Sequence, residues 1–178
     1  MTAEEMTRFW LEAGPLRWFT KDAAFDGALA VRFGAALQEA RLGAFDHWGK
    51  TPEGALGLVL LLDQVSRNIH RGSPLAFAAD SRALRLAKEW IGHGYHQKLP
   101  PPLACWFLMP FEHAENLDAQ QRCLALFQTM GLAEMTHYAR IHLDIIARFG
   151  RFPHRNRVLG RKSTAAELAF LAGGGFAG

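Results

Sequence analysis

The feature that most constrains the fold is one apolar segment, EGALGLVLLLDQVSRN, at residues 53–68. It follows Thr51-Pro52, which supplies a favourable N-cap and a proline at the first helical position. Its apolar residues fall on nearly every side of a helix, so neighbouring elements must surround it. We therefore predict a central core helix with other helices packed around it.

Helix signals recur along the rest of the chain, separated by glycine and proline, and no segment shows the alternation of a strand. The predicted helices cover residues 4–13, 23–42, 53–68, 74–92, 103–116, 118–130 and 132–149, with a short last helix after Thr164. Asp22 and Asp118 are the expected caps of the second and sixth helices, and Thr164 and Glu167 have capping-box spacing. Proline at position 110 should kink or end the fifth helix. The sequence thus predicts one all-α domain over residues 1–178, with seven to eight helices stacked as antiparallel hairpins.

Composition indicates a folded protein that stays in the cytoplasm. The chain is 49% hydrophobic and 21% charged, which is typical of a packed globular domain. Its longest nearly uncharged apolar run, Ala55 to Leu62, is far shorter than the roughly 20 residues that cross a bilayer. The N-terminus lacks the pattern of a signal peptide, and we expect no membrane contact. Cys105 and Cys123 lie in apolar helical patterns, which favours reduced core thiols.

The positive charge is concentrated in one segment near the C-terminus, which we call the basic loop, residues 148–162. Its six cations are Arg148, Arg151, Arg155, Arg157, Arg161 and Lys162, with no acid among them. The formal net charge is +3, so the remaining chain carries −3. A nucleic-acid-binding protein would spread its charge more widely, so the distribution argues against a nucleic-acid partner.

Three blocks of the sequence resemble a widespread bacterial family catalogued as domain of unknown function 924. They read LVLLLDQVSRNIHRGSPLAFAAD, FLMPFEHAEN and IIARFGRFPHRNRVLGRKSTAAELAFL. The resemblance covers nearly the whole chain and implies an all-α fold similar to tetratricopeptide helical hairpins. It implies no activity. Val65-Ser66 departs from the family form, in which we expect Phe-Pro before Arg67-Asn68.

The first candidate site lies at the end of the core helix and consists of Asp63, Gln64, Arg67 and Asn68. Asp63 and Arg67 are four residues apart, so they share a helix face and are able to pair. One interpretation is a structural ion pair that anchors the following turn. The other is that the cluster forms one wall of a binding pocket.

The second candidate is Glu112, His113 and Glu115, just beyond Pro110. A histidine between two carboxylates suits a general base that an acid orients. The same three residues also suit a purely structural role, with the histidine in the core and the glutamates paired to arginines.

The third candidate is the basic loop itself. Arg148 lies near a helix C-terminus, where a cation is favourable for the helix dipole. Arg151, His154, Arg155 and Asn156 follow in an irregular segment that Pro153 stiffens. Rigid arginines suit a carboxylate or phosphate, either of an external ligand or of Asp63, Glu112 and Glu115 in the same chain.

The sequence lacks the complete motifs of several kinds of metal, cofactor and catalytic site. Glu134-x-x-His137 matches half of a di-iron signature without a second copy, and we predict no metal site. No phosphate-binding loop, dinucleotide fingerprint or nucleophile elbow is present, so no cofactor is predicted.

Three hypotheses about function remain open. The first is a binding protein with a groove, lined by Arg, His and carboxylate side chains, for a small anionic ligand or an acidic peptide. The second is a hydrolase-like enzyme that uses His113 or His154 with Glu115 and an arginine clamp. The third is a structural polar network without any ligand.

Overall fold

The computed structural model describes residues 1–176, and they form helices, turns and irregular segments without a strand. This confirms the all-α class. The chain divides into two compact units, residues 1–71 with 75–110, and residues 72–74 with the chain from Phe111 onward. The expectation of one domain stays a prediction.

The first unit contains the segment that was expected to be central, which forms α4 (Pro52–Val59) and α5 (Ser66–Ile69). Its other helices are α1 (Ala3–Ala13), α2 (Pro15–Trp18), α3 (Ala23–Arg41), α6 (Asp80–Gly92) and α7 (Pro101–Ala104). The chain passes from the first unit to the second within α8 (Met109–Glu112). Short 3-10 turns lie at Asp46–Lys50, Tyr95–Gln97 and Cys105–Leu108. Between positions 54 and 66 every residue is buried, so the core helix is enclosed on all sides as its composition predicts.

A glycine sets the distance between α1 and α4. A Cβ atom at Gly57 would lie 2.7 Å from the carbonyl oxygen of Ala3 and 2.9 Å from its Cα. No side chain fits at that separation, because the obstacle is backbone. Gly57 therefore allows the N-terminal end of α1 to contact α4 directly.

A π-helix, Leu60–Val65, joins α4 to α5 in one continuous helical segment. Its hydrogen bonds run from residue i to i+5, which adds one residue to the turn. The hydrophobic pattern gave no sign of it, since every position in this segment is apolar or buried. Asp63 and Gln64 lie within the π-helix.

Three tryptophans pack together in the first unit, two of them buried. The rings of Trp10 and Trp18 each meet Trp106 edge-on, with centroids 5.4 and 5.1 Å apart. The Trp18 Nε1–H also donates to the carbonyl of Trp10 at 2.6 Å. These contacts hold α1, the short α2 and the turn before α8 together.

The second unit contains α9 (Leu117–Thr129), α10 (Ala133–Phe149) and α11 (Ala165–Ala172), with a 3-10 turn at Pro153–Arg155. α9 and α10 pack against each other across a short connection at Gly131, where φ is 69°. Gly150 ends α10 with φ 68°, as the sequence predicts. The basic loop then leads to α11.

Most predicted caps are confirmed, and two helix starts are wrong. Asp22 and Thr51 cap α3 and α4, and Thr164 with Glu167 forms both arms of the capping box of α11. The helix expected from position 74 starts at Asp80 instead, because Pro74–Phe77 forms a 3-10 turn. The cap of α9 is Asn116, which accepts from the Ala119 N–H, and not Asp118.

No helix within residues 1–176 combines the length and the apolar character that crossing a bilayer requires.

Candidate functional site

The polar residues at the end of the core helix are paired within the first unit. Asp63, which is fully buried, lies 3.0 Å from Arg67 Nη1 and accepts from Gln64 Nε2 at 2.7 Å. This confirms the predicted pairing of Asp63 with Arg67. Arg67 also donates two hydrogen bonds of 3.0 Å to Asp80. Burial alone would lower the pKa of the Arg67 guanidinium, but the two carboxylates outweigh it and raise that pKa.

Asn68 takes part in a second network in the same unit. Its Nδ2 donates to Asp26 Oδ1 at 2.7 Å, and Arg71 donates to both oxygens of Asp26. The sequence analysis did not single out Asp80 or Asp26, which lie 13 and 42 positions from their partners Arg67 and Asn68. Spacing in the sequence indicates side-chain pairs only within a single helix, so it does not reveal partners on other segments.

In the second unit, Glu112 lies beside His142. Their closest atoms, Oε1 and Nδ1, are 3.3 Å apart, and both side chains are buried. The same Nδ1 is 2.9 Å from the Tyr138 carbonyl, which only accepts, so Nδ1 carries the hydrogen. The sequence analysis missed His142. Its spacing from Ala139, Ile145 and Ile146, which are all buried, would have placed it on the inner face of α10.

Glu115 binds the far end of the basic loop. Arg161 donates to its two oxygens at 2.5 and 2.9 Å, and the Phe152 N–H donates at 2.8 Å. Burial alone would raise the pKa of Glu115, but these hydrogen bonds outweigh it and lower that pKa. Glu115 is therefore one of the acids with which the loop was expected to pair.

Two further loop residues are also bound within the second unit. Arg151 donates to both oxygens of Glu167, at 2.6 and 2.9 Å. Asn156 accepts from Arg161 Nε and donates to Ser163 Oγ. We call this set the loop network: Glu115, Arg151, Asn156, Arg161 and Glu167. It ties the loop to the start of α9 and to α11.

Two other arginines of the loop, Arg148 and Arg155, contact aromatic rings. Arg155 is buried, with its Cζ 4.5 Å from the centre of the Phe152 ring. Arg148 is exposed and lies 4.7 Å from the Phe149 ring. Arg157 is exposed and has no ion pair within the described residues.

His154 lies among aromatic rings, tilted against Phe152 and edge-on to Phe176. Its ring centre lies 5.6 Å from those of Phe152 and Phe176. Burial, and then the nearby charge of Arg155, lower the pKa of His154 to about 4. The imidazole is consequently neutral at pH 7, so the protonated form that would give a proton to a leaving group is not populated. His113 is half-buried.

The two cysteines are buried and are not joined in a disulfide. Burial, together with the charge of Glu112, raises the pKa of the Cys123 thiol. No group of three His, Cys, Asp or Glu side chains within residues 1–176 has a geometry that would hold a metal ion.

An open cleft lies in the first unit, and we call it the α1–α4 cleft. Its volume is about 680 Å³. Its apolar lining consists of Leu11, Trp48, Leu56, Leu99 and Leu103. Trp48 and Leu56 are buried and form the floor, whereas the three other leucines are half-buried walls.

Ionisable residues surround the α1–α4 cleft at its rim. They are Glu4, Arg8, Glu12, His47 and Glu53, and all are exposed. Thr7 also lines the cleft, and its buried Oγ1 has no hydrogen-bond partner within the described residues. The sequence analysis missed this site, because its lining comes from three separate segments and contains no motif.

Comparisons with known proteins extend over nearly the whole chain. A family model for a bacterial protein of unknown function, DUF924, matches residues 6–175. A solved structure of a protein of unknown function from Agrobacterium tumefaciens is similar, with 43% sequence identity and a TM-score of 0.91. The similarity covers 95% of this chain and 96% of that one. No curated protein matches at a significant level.

Proposed function

This chain belongs to that bacterial family of unknown function, and we propose that it binds a small ligand reversibly in the α1–α4 cleft. The observation that supports the proposal is the cleft itself. Its volume of about 680 Å³ falls within the range of roughly 300–1,000 Å³ that is typical of small-molecule sites. Apolar walls with a few polar groups at the rim are also typical of such sites.

Binding is favoured over catalysis by the state of one candidate catalytic pair, His154 with Glu115. His154 lies beside the rings of Phe152 and Phe176, and burial lowers its pKa to about 4. Glu115, the carboxylate expected to assist it, is bound by Arg161 and the Phe152 N–H. An acid–base pair requires a group that exchanges a proton near the working pH, and this pair offers none.

The loop network favours a structural role for most of the basic loop. Arg151 and Arg161 each use two donors on a carboxylate of the same unit. An external anion would have to displace Glu167 or Glu115, and the displaced glutamate would lose its partner in a partly buried place. We therefore assign ligand binding to the cleft.

The proposed function is tested with an uncharged apolar dye, Nile red, whose fluorescence rises in apolar surroundings. We expect saturable binding to the full chain, and weaker binding to Leu99→Trp, because the larger ring fills part of the cleft. The control is Leu168→Trp, on the exposed face of α11. Absence of saturable binding, or equal binding by both variants, would overturn the proposal.

A second candidate partner is an acidic peptide at the outer surface of the basic loop. Arg148, Arg157 and Lys162 are exposed and have no ion pair within the described residues. Such a surface predicts weak binding of a glutamate decapeptide that declines as salt rises. Arg148→Gln with Arg157→Gln should weaken it, whereas Arg140→Gln, at an exposed position of α10, should not. Equal effects of the two sets would exclude this partner.

A further inference from the structure

We propose that the ligand of the α1–α4 cleft is an organic cation with an apolar body. This inference rests on the proposed function and adds the chemical class of the ligand. The apolar lining would take the body of the molecule, and the glutamates of the rim would take its charge.

The rim has an excess of negative charge. It carries three glutamates, Glu4, Glu12 and Glu53, against one arginine, Arg8. None of these four side chains forms an ion pair within the described residues. Charges of one sign around a cleft with apolar walls concentrate counter-ions there, so the rim attracts cations.

Helix stability accounts for two of the glutamates. Glu4 and Glu53 lie in the first turns of α1 and α4, where an acid is favourable for the helix dipole. Glu12 lies in the last turn of α1, which contains no basic residue. An acid at the C-terminal end of a helix interacts unfavourably with the helix dipole, so helix stability does not explain Glu12.

The position of Arg8 disfavours an anionic ligand. Arg8 lies four residues from both Glu4 and Glu12, on the same face of α1. An anion that reached Arg8 would therefore stand between two carboxylates. A cation at the same place would be attracted by two carboxylates, those of Glu4 and Glu12, and repelled by Arg8 alone.

The ligand class is tested with three compounds of the same body and different charge. They are 4-phenylbutylamine, 4-phenylbutan-1-ol and 4-phenylbutanoate, which are cationic, neutral and anionic at pH 7. Calorimetric titration of the full chain should give the tightest binding for the amine, about fivefold tighter than for the alcohol at low salt. The carboxylate should bind most weakly. The preference for the amine should shrink as salt rises.

Variants then locate the charge preference. Glu12→Gln should weaken amine binding about twofold and leave alcohol binding unchanged, and the triple change of Glu4, Glu12 and Glu53 to Gln should remove the preference. The matched control combines Glu39→Gln with Glu89→Gln, at exposed positions on α3 and α6 outside the cleft.

The outcomes separate the two proposals. If the alcohol and Nile red bind in the cleft but the amine binds no tighter than the carboxylate, the ligand class is wrong and the proposed function stands. If the control pair reduces amine binding as much as the triple variant, the preference arises from net charge and the inference is overturned. If neither the three compounds nor Nile red binds in the cleft, the proposed function itself fails.

Discussion

Arg151 and Glu167 form a two-point ion pair that joins the basic loop to the last helix. The Nε and Nη2 of Arg151 donate to the two carboxylate oxygens at 2.6 and 2.9 Å. The same carboxylate accepts from the Thr164 N–H at 2.7 Å, which closes the capping box of α11. The Glu167 carboxylate thus both pairs with an arginine of the basic loop and caps the N-terminus of α11.

Removal of either partner should destabilise the protein, and the two effects should not add. Arg151→Ala leaves Glu167 without its cation, and Glu167→Ala removes both the ion pair and the capping contact. We expect the double variant to be little less stable than Glu167→Ala alone, because the shared interaction is lost only once. Urea denaturation of the four proteins measures this, with Arg157→Ala as the control for loss of a loop charge. Additive effects would show that the pair is not coupled.

The contribution of Glu167 to stability should be lost in acid. The hydrogen bond from Arg151, and then that from the Thr164 N–H, lower the pKa of Glu167 from 4.5 to about 2. A carboxyl group whose pKa is lower in the folded state than in the unfolded state stabilises the folded protein above its unfolded-state pKa. This stabilisation is lost as the pH falls towards the folded-state pKa. The stability difference between the wild type and Glu167→Gln should therefore narrow between pH 4.5 and about 2. A difference that is constant over this range would contradict the assignment.

His154 should make the folded state sensitive to mild acid. Its pKa falls from 6.5 to about 4, so below pH 6.5 the unfolded chain binds a proton that the folded chain resists. Stability is therefore lost as the pH decreases from 6.5 towards 4. His154→Phe keeps an aromatic ring beside Phe152 and Phe176 but has no proton to bind, so it should be less sensitive over this range. Denaturation at several pH values tests this, and an NMR titration of the imidazole that gives an ordinary pKa would refute it.

Gly57→Ala should destabilise the first unit. The added Cβ would meet the backbone of Ala3 at 2.7 to 2.9 Å, so α1 would have to move away from α4. We expect a loss of about 1–3 kcal/mol, although alanine favours the helix by up to about 1 kcal/mol. The matched control is Gly27→Ala in α3, where a Cβ meets nothing within 4 Å. That variant should be stabilised, and equal effects of the two substitutions would contradict the packing argument.

Gln120→Leu should destabilise the second unit. The buried Nε2 of Gln120 donates to the carbonyl of Glu112, the last residue of α8, at 2.6 Å and to that of Ala114, just beyond it, at 2.8 Å. Leucine fills the space but does not replace this donor, and we expect a cost of about 1–3 kcal/mol. The neighbouring Gln121 is exposed, so Gln121→Leu should have little effect in the same urea denaturation. A neutral Gln120→Leu would show that other donors satisfy the carbonyls.

The fold was largely predictable because helix boundaries depend on local chemistry. Asp22, Thr51 and Thr164 cap helices through contacts within three residues, and such contacts can be recognised in the sequence. The π-helix was not predictable, because it changes hydrogen bonding within a segment whose hydrophobicity is uniform. The 3-10 turn at Pro74–Phe77 has the same proline signal as a helix start, so its sequence did not distinguish the two.

The site residues were predictable where the partners lie on one helix. Asp63 and Arg67 pair as their spacing indicates, at 3.0 Å. The sequence left the partner of Arg151 open between an external anion and three acids, among which Glu167 was not named. Glu167 lies 16 residues away and was expected only to take part in a capping box. The α1–α4 cleft was missed altogether, since a concave surface depends on how separate segments pack.

The π-helix Leu60–Val65 has a consequence for insertions and deletions. An α-helix turns by about 100° per residue, so one extra residue in the turn rotates everything that follows by about that angle. Arg67 and Asn68 reach Asp80 and Asp26 in this rotated frame. Deleting a single residue from the π-helix would restore ordinary α-helical bonding and turn both side chains away from their partners. The number of residues in the core helix thus sets the direction in which Arg67 and Asn68 point. Apolar substitutions that keep this number should be tolerated far better than the insertion or deletion of one residue.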